Sequence, residues 1–139
     1  MTPQLVIDHI MKTDAFSNWL GISVTELKEG YSKIQMTVRP EMMNGLGIVH
    51  GGIAFSLADS AFAFACNGRN NLSVALDNSI NYLKPVHTGD VITAEATEVH
   101  NGRSTGLYQV TMTNQHGHTV AIFKGTCFRT GKPVIKAAI

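Results

Sequence analysis

The chain has few charges, few cysteines and no long uninterrupted apolar run, and each shortage excludes a class of protein. Only 15% of its 139 residues are charged and the formal net charge is +1, so nothing indicates nucleic acid or an anionic membrane surface as a partner. No stretch of about 18 charge-free apolar residues is present to span a bilayer, because Asp59 interrupts the nearest one, Ile53 to Cys66. We therefore expect no nucleic-acid partner and no membrane partner.

The two cysteines, Cys66 and Cys127, have no CxxC spacing, and each lies in an apolar segment. We interpret them as reduced and buried, which is typical of a cytoplasmic protein. The first ten residues carry Asp8 and His9 and lack a basic start followed by a long apolar run, so we do not interpret them as a signal peptide. A cytoplasmic location is the resulting expectation.

The apolar content is sufficient for one hydrophobic core. Apolar residues make up 44% of the chain, and its length fits a single domain over residues 1–139. Periodicity predicts two short helices, two strands, one long helix and then four strands. The short helices begin at Thr2-Pro3 and at Asp14. The strands are predicted near residues 22–29, 33–39, 74–83, 91–100, 103–114 and 118–129, with Asn101-Gly102 as a two-residue hairpin turn.

The long helix, Gly51 to about Cys66, is apolar almost all the way round, and a helix without a polar face is a buried helix. One sheet of about six strands can curl around this helix but cannot enclose it, so a second copy of the chain is the simplest cover. The predicted class is α+β, with a curved antiparallel sheet wrapped around one long central helix in a homodimer.

The start of this helix combines features that suit acyl-transfer chemistry. A helix N-terminus presents unpaired N–H groups and the positive end of the helix dipole, and Gly51 and Gly52 let a ligand approach that backbone closely. A developing oxyanion needs such donors. Asp59 is the only carboxylate in the apolar run, and burying it is costly unless it is hydrogen-bonded or used in chemistry.

Helix geometry separates these two features. Gly51 and Asp59 are eight residues apart, which is about 12 Å along the axis and about 80° around it. One scissile carbonyl cannot contact both on the same helix. If both act on one bond, each site takes Gly51 from one subunit and Asp59 from the other, and two antiparallel helices make two equivalent sites.

The pattern Asn44-x5-His50-Gly51-Gly52-x6-Asp59 resembles the active-site motif of hotdog-fold acyl-CoA thioesterases, of the PaaI type linked to phenylacetic acid degradation. The similarity extends from about Gly21 to Arg129. Further similarity appears in Tyr82-Leu83-Lys84-Pro85, Gly89-Asp90, Asn101-Gly102-Arg103 and Val120 to Gly125.

The resemblance implies a role for each matching residue. The Gly51 N–H would bind the thioester oxygen, and Asp59 would act as general base on water or as nucleophile. Asn44 would position the water or the carboxylate, and His50 would order the loop and contact the thioester region. Ser60, beside the carboxylate, often is Thr in similar enzymes.

The match is incomplete on the strand that follows the helix. Some similar enzymes have Ser near the position of Ala75, and Ala cannot hydrogen-bond a water through its side chain. Ser79 is a possible substitute in the same segment.

The resemblance also implies how coenzyme A (CoA) would be bound. Tyr82, Lys84, Arg103, Ser104 and Thr105 are the expected substrate contacts, because CoA phosphates need cationic and hydrogen-bonding groups. The acyl group would enter an apolar pocket beside the helix, with three candidates to line it: Phe55, Phe62 and Leu46. CoA is part of the substrate, so no cofactor is expected. Hotdog dimers often pair into tetramers, and we expect a dimer of dimers.

The residues alone leave simpler interpretations open: a tight turn at His50-Gly51-Gly52, a plain turn at Asn44-Gly45, a structural acid at Asp59, and plain exposed charges at Lys84 and Arg103. His116 and His118 lack further ligands, so no metal site is predicted. Two other functions also stay open, namely a hotdog dehydratase or hydratase of acyl thioesters and a non-catalytic acyl-CoA binder.

Overall fold

The N-terminal helices form where the sequence supplies caps. In the computed structural model, which describes residues 1–136, the Thr2 side chain accepts a hydrogen bond from the Leu5 amide and begins helix α1 (Pro3–Met11). Asp14 caps helix α2 (Ala15–Leu20) in the same way, and Gly21 ends it with a φ of 77°. Both predicted helix starts are therefore confirmed.

Six strands form one antiparallel sheet. They are β1 (Ser23–Lys28), β2 (Tyr31–Thr37), β3 (Ser73–Tyr82), β4 (Val91–Asn101), β5 (Thr105–Thr113) and β6 (Thr119–Arg129). Their order across the sheet is β1-β2-β4-β5-β6-β3, so β1 and β3 are the two edges. The predicted element order is confirmed, with strand bounds that differ by at most two residues.

Helix α3 (Gly51–Asn67) lies at the centre of the fold and contacts β2, β3, β4, β5 and β6. Small residues on the helix allow the sheet to approach closely, and Phe62, only 2% exposed, packs against the rings of Tyr108 and Phe123. A curved antiparallel sheet wrapped around one long helix is thus observed, as predicted for the α+β class.

One side of α3 is not covered by its own chain. Gly52, Ser56, Asp59 and Ala63 follow one another at spacings of four, three and four residues, which places them on one face, and each is at least partly exposed. The helix that the sequence describes as buried all round therefore has an open face in the single chain, and Asp59 lies on it.

The edge strand β3 is the second uncovered feature. Its side chains are mostly exposed, with Val74 at 50% and Leu76 at 59% exposure, and the register against β6 shifts between Ala75 and Asp77. Within residues 1–136, β6 is its only strand neighbour. Exposed apolar side chains on an unpaired strand edge are typical of a surface that another chain covers.

The predicted hairpin turn at Asn101-Gly102 is wrong. Strand β4 continues to Asn101, which pairs with Gly106, so the connection runs through Gly102 to Ser104. A two-residue turn of the Asn-Gly type needs positive φ at both residues, and neither residue has it. The Gly102 amide instead donates to the Thr105 carbonyl at 2.8 Å.

Other expectations concern the chain as a whole. Cys66 and Cys127 are buried and free, as predicted. No helix in the described part of the chain is long and apolar enough to cross a membrane. Among residues 1–136, no group of three or more His, Cys, Asp or Glu side chains is placed to hold a metal ion.

Candidate active site

The N-terminus of α3 presents one free amide. His50 is the N-cap residue, and its Nδ1 accepts a hydrogen bond from the Gly52 amide at 2.9 Å. Because Nδ1 is an acceptor, the proton of the neutral imidazole is on Nε2. The Gly51 amide has no acceptor within residues 1–136. Gly51 is therefore the donor that this helix end leaves for a ligand.

Asn44 orders the loop that leads into this helix. Its Oδ1 accepts hydrogen bonds from the amides of Leu46 and Ile48 at 2.8 and 3.4 Å. The side-chain oxygen is therefore occupied, as in a plain turn, while the amide hydrogens of Nδ2 have no acceptor in the described part of the chain. Asn44 thus combines the structural role that the sequence left open with an available donor.

Tyr82 covers the first turn of the helix. Its hydroxyl donates a hydrogen bond to the Gly51 carbonyl at 2.8 Å, and a Cβ built on Gly51 would lie 2.9 Å from that hydroxyl oxygen. Any other residue at position 51 would force the Tyr82 ring to shift. The predicted substrate contact Tyr82 is thus also a contact of Gly51.

A cavity of about 360 Å³ opens beside Gly51. It is mostly apolar, and Lys84 is the one charged side chain on its wall. Its wall comes from the loop before α3, from the end of β3 and from the start of β6, and consists of Asn44, Ile48, Val49, Gly51, Ala54, Tyr82, Leu83, Lys84, Pro85, Val86, Val120 and Ala121. A long ligand could enter past Lys84 and reach the free amide.

Asp59 lies in a different cavity, of about 270 Å³, between α2 and α3. Burial raises the pKa of the Asp59 carboxyl above its ordinary value of 3.8, and a hydrogen bond from Asn78 opposes part of that rise. Phe16 and Phe55 give this cavity aromatic surface, while Asp14 and Ser60 are among its polar groups. The carboxylate is therefore partly desolvated and still accessible from the open face of the helix.

Asn78 is a site residue that the sequence did not indicate. Its Nδ2 donates to the Asp59 carboxylate at 3.2 Å from the adjacent strand β3. Since side chains alternate along a strand, Ser79 faces away from the helix, and the interpretation of Ser79 as the substitute is wrong. An available signal was the residue type, because Asn is depleted in strands and here alternates with Ile80 and Tyr82.

Ser60 belongs to a hydrogen-bonded chain that reaches α2. Its hydroxyl oxygen is 2.9 Å from the hydroxyl oxygen of Ser17, and Ser17 in turn donates to the Asp14 carboxylate at 2.7 Å. Ser17 is only 1% exposed. The structure thus connects the residue beside Asp59 to the carboxylate that caps α2, far earlier in the sequence.

A single chain does not bring the two halves of the predicted site together. Gly51 and Asn44 line one cavity, and Asp59 and Ser60 line the other. The basic groups are also apart. Lys84 follows the Tyr82 end of β3, whereas Arg103 lies in the β4–β5 connection, beside the end of β6 that pairs with Ser73. Arg103, Ser104 and Thr105 are exposed, and none of them lines the cavity beside Gly51.

The three expected pocket residues lie in three different environments in the single chain. Phe62 is a core residue, because it points into the sheet rather than into a cavity, and Leu46 is 84% exposed on the loop before the helix. Phe55 does line the Asp59 cavity. Periodicity does not distinguish the two phenylalanines, since both belong to the same apolar helix.

Comparison with known proteins assigns the family. The family model described as "Thioesterase superfamily" matches residues 46–121, which is more than half of the chain and includes Gly51, Asp59 and Tyr82. The chain belongs to the thioesterase superfamily. The prediction of a thioester hydrolase is therefore confirmed at the level of the family.

Individual relatives agree with this assignment. This thioesterase is 42% identical over 120 residues to the acyl-coenzyme A thioesterase PaaI of Escherichia coli, and the match covers 86% of each chain. The crystal structure of the E. coli PaaI protein superposes with a TM-score of 0.92 at 39% identity, covering 94% of this chain and 95% of that one. The predicted hotdog fold and the resemblance to PaaI-type enzymes are confirmed.

A more distant solved structure is informative about ligands. A hypothetical thioesterase from Streptococcus pneumoniae, solved with coenzyme A, superposes on this thioesterase with a TM-score of 0.78 at 32% identity. The match covers 81% of this chain and 90% of that one.

Proposed function

We propose that this thioesterase hydrolyses a CoA thioester to a free acid and CoA, with Asp59 as general base and the Gly51 amide as oxyanion donor. The name of the E. coli relative and the coenzyme A bound to the S. pneumoniae relative support CoA as the carrier. The reaction needs no cofactor, because CoA is part of the substrate. The two buried free cysteines support a cytoplasmic location.

The observation that carries the proposal is that one helix has an unused amide at its N-terminus and a partly desolvated carboxylate about two turns later. Gly51 has a donor without an acceptor, and Asp59 has a raised pKa without a salt-bridge partner in the described chain. An oxyanion hole and a general base have these properties. Because they open into separate cavities, a working site requires two chains.

The edge strand β3 supplies the way to combine them. Two copies of β3 can pair antiparallel across a twofold axis, which buries Val74 and Leu76 and joins two sheets into one. Antiparallel pairing places the Tyr82 end of one β3 beside the first half of the other. The cavity that contains Gly51 then faces the partner's α3, on whose open face Asp59 lies. We propose this dimer, and a tetramer built from two such dimers.

The same pairing accounts for the separated CoA contacts. Lys84 follows the Tyr82 end of β3, and Arg103, Ser104 and Thr105 lie toward the Ser73 end. Reversal of the strand direction across the twofold axis brings these two ends of different chains together. CoA phosphates would then contact Lys84 of one chain and the 103–105 connection of the other, which is a charge-assisted site at the surface.

The chemical step is a hydrolysis with Asp59 as the proton acceptor. Asp59 removes a proton from a water whose oxygen attacks the thioester carbonyl carbon. The negative charge that develops on the carbonyl oxygen is stabilised by the Gly51 N–H, and the Asn44 amide is available to hold the water or the carboxylate. The C–S bond then breaks, the electron pair leaves on sulfur, and the proton passes from Asp59 to the CoA thiolate.

The cavity at Asp59 favours an arylacetyl group as the acyl part. Phe16 and Phe55 provide aromatic surface for a ring, and Ser56 provides a polar group at its wall. A ring that carries a hydroxyl group matches this combination better than a plain alkyl chain does. Hydroxyphenylacetyl-CoA is therefore the substrate that we propose.

A screen of acyl-CoA esters tests the proposal, with released thiol measured by a thiol reagent. We expect turnover of arylacetyl-CoA esters, and we expect Asp59→Asn to lower kcat by about 10²- to 10⁴-fold. Formation of an enoyl thioester without free thiol would instead identify a dehydratase or hydratase. Tight binding without turnover would identify an acyl-CoA binder.

Mixed dimers test whether the site is shared. A chain with Asp59→Asn and a chain with Gly51→Pro are each expected to be inactive as homodimers. When they are co-expressed and the mixed dimer forms at random, one intact site in every mixed dimer restores about a quarter of the wild-type activity. If Gly51 and Asp59 of the same chain acted together, no intact site would exist and nothing would be restored.

A further inference from the structure

The hydrogen-bonded chain from Asp14 to Ser60 has a direction that the atoms themselves determine. The Asp14 Oδ1 accepts from the Ser17 amide at 3.0 Å, and its Oδ2 accepts from the Ser17 hydroxyl at 2.7 Å. An ionised carboxylate only accepts hydrogen bonds, so the Ser17 hydroxyl hydrogen is committed to Asp14.

The commitment of Ser17 determines what Ser60 can do. The two hydroxyl oxygens are 2.9 Å apart, and a hydroxyl has one hydrogen. Since Ser17 has already used its hydrogen, Ser60 must be the donor in this contact. The Ser60 oxygen then has only lone pairs left, and it lies on the wall of the same cavity as Asp59.

We propose that Asp14 and Ser17 are positioning residues that hold Ser60 as a hydrogen-bond acceptor, so that the hydrolytic water donates one hydrogen to Asp59 and the other to Ser60. This inference rests on the proposed function, in which Asp59 activates that water. With both hydrogens directed to the protein, both lone pairs of the water are free, and one of them faces the thioester carbon. A Ser60 that donated would occupy a lone pair and make the water a weaker nucleophile.

The substitution Asp14→Asn reverses the direction of these hydrogen bonds without removing a side chain. The Ser17 amide still needs an acceptor, so the Asn oxygen takes the place of Oδ1 and the NH₂ group faces the Ser17 hydroxyl. That NH₂ donates to Ser17, Ser17 donates to Ser60, and the Ser60 hydrogen turns toward the cavity. Helix α2 keeps its cap, since Asn caps helices as well as Asp does.

We expect Asp14→Asn to lower kcat about three- to tenfold with KM unchanged, which corresponds to one hydrogen bond in the transition state. In a Ser17→Ala background the hydrogen-bonded link between Asp14 and Ser60 is already broken. Asp14→Asn should then have no further effect on kcat. Asp8→Asn is the control for charge, because Asp8 is exposed on α1 and contacts Gln4 rather than the cavity. It should retain wild-type kcat and KM.

Two results would overturn the inference. One is a wild-type kcat for Asp14→Asn, and the other is a loss that persists undiminished in the Ser17→Ala background. Asp59→Asn separates this failure from that of the proposed function. If Asp59→Asn retains activity, the general-base assignment fails; if it is inactive while Asp14→Asn is unchanged, only the role of Asp14 and Ser17 fails.

Discussion

Gly51 allows the oxyanion donor to be removed with little damage to the fold. It is the first residue of α3, where proline is well tolerated because the amide there has no partner within the helix. His50, before it, has φ −63° and ψ 133°, the extended conformation that a following proline requires. Gly51→Pro therefore deletes the proposed donor hydrogen and leaves the helix able to form.

Gly51→Ala is the matched control, because both substitutions add a Cβ but only proline removes the hydrogen. That Cβ would lie 2.9 Å from the Tyr82 hydroxyl oxygen and 3.1 Å from its Cζ, so the Tyr82 side chain must shift. Tyr82 is 55% exposed and has room to move. The cost is its hydrogen bond to the Gly51 carbonyl, about 0.5–1.5 kcal/mol, and both variants share it.

The difference between the two variants measures the amide alone. Loss of one oxyanion donor typically costs about 10²- to 10³-fold in kcat, so Gly51→Pro should be slower than Gly51→Ala by that factor. Thiol release from an arylacetyl-CoA ester gives kcat, and thermal unfolding confirms that both variants fold. Equal kcat values for two folded variants would show that the Gly51 amide does not bind the oxyanion.

Four further predictions concern Asp59, the core and the edge strand β3. Because burial raises the pKa of Asp59 above 3.8, kcat/KM should be lost as pH falls through that raised value rather than near 3.8, in a pH–rate profile. The folded chain then binds the Asp59 proton more tightly than the unfolded chain, so the ionised carboxylate opposes folding as pH rises. Asp59→Asn should therefore raise the melting temperature at pH 7, and a lower one would contradict the burial argument. Phe62→Ala should reduce the free energy of unfolding by about 3–5 kcal/mol in urea, since Phe62 is buried between Tyr108 and Phe123. Leu76→Arg should yield monomers without turnover by light scattering and thiol release, and an active monomer would refute the shared site.

Local features account for what could be predicted from the sequence. The caps at Thr2 and Asp14, the glycines at the start of α3 and the alternation of the strands all act over a few residues, so their effect is readable in order along the chain. The separation of Gly51 from Asp59 also followed from helix geometry alone. The Asn101-Gly102 turn was wrong because the register of β4 with β5, rather than the dipeptide, determines where the connection lies.

The sequence by itself thus determined the elements and the motif, and it led to the expectation of a second chain. Only the tertiary structure decided that β3 is an edge strand, that Asn78 holds Asp59, and that Ser17 of α2 contacts Ser60 of α3. Each of these contacts joins residues distant in the chain, and it depends on sheet order, on strand register and on where a short helix packs. Periodicity reports which face of an element is buried, but it does not report what that face touches.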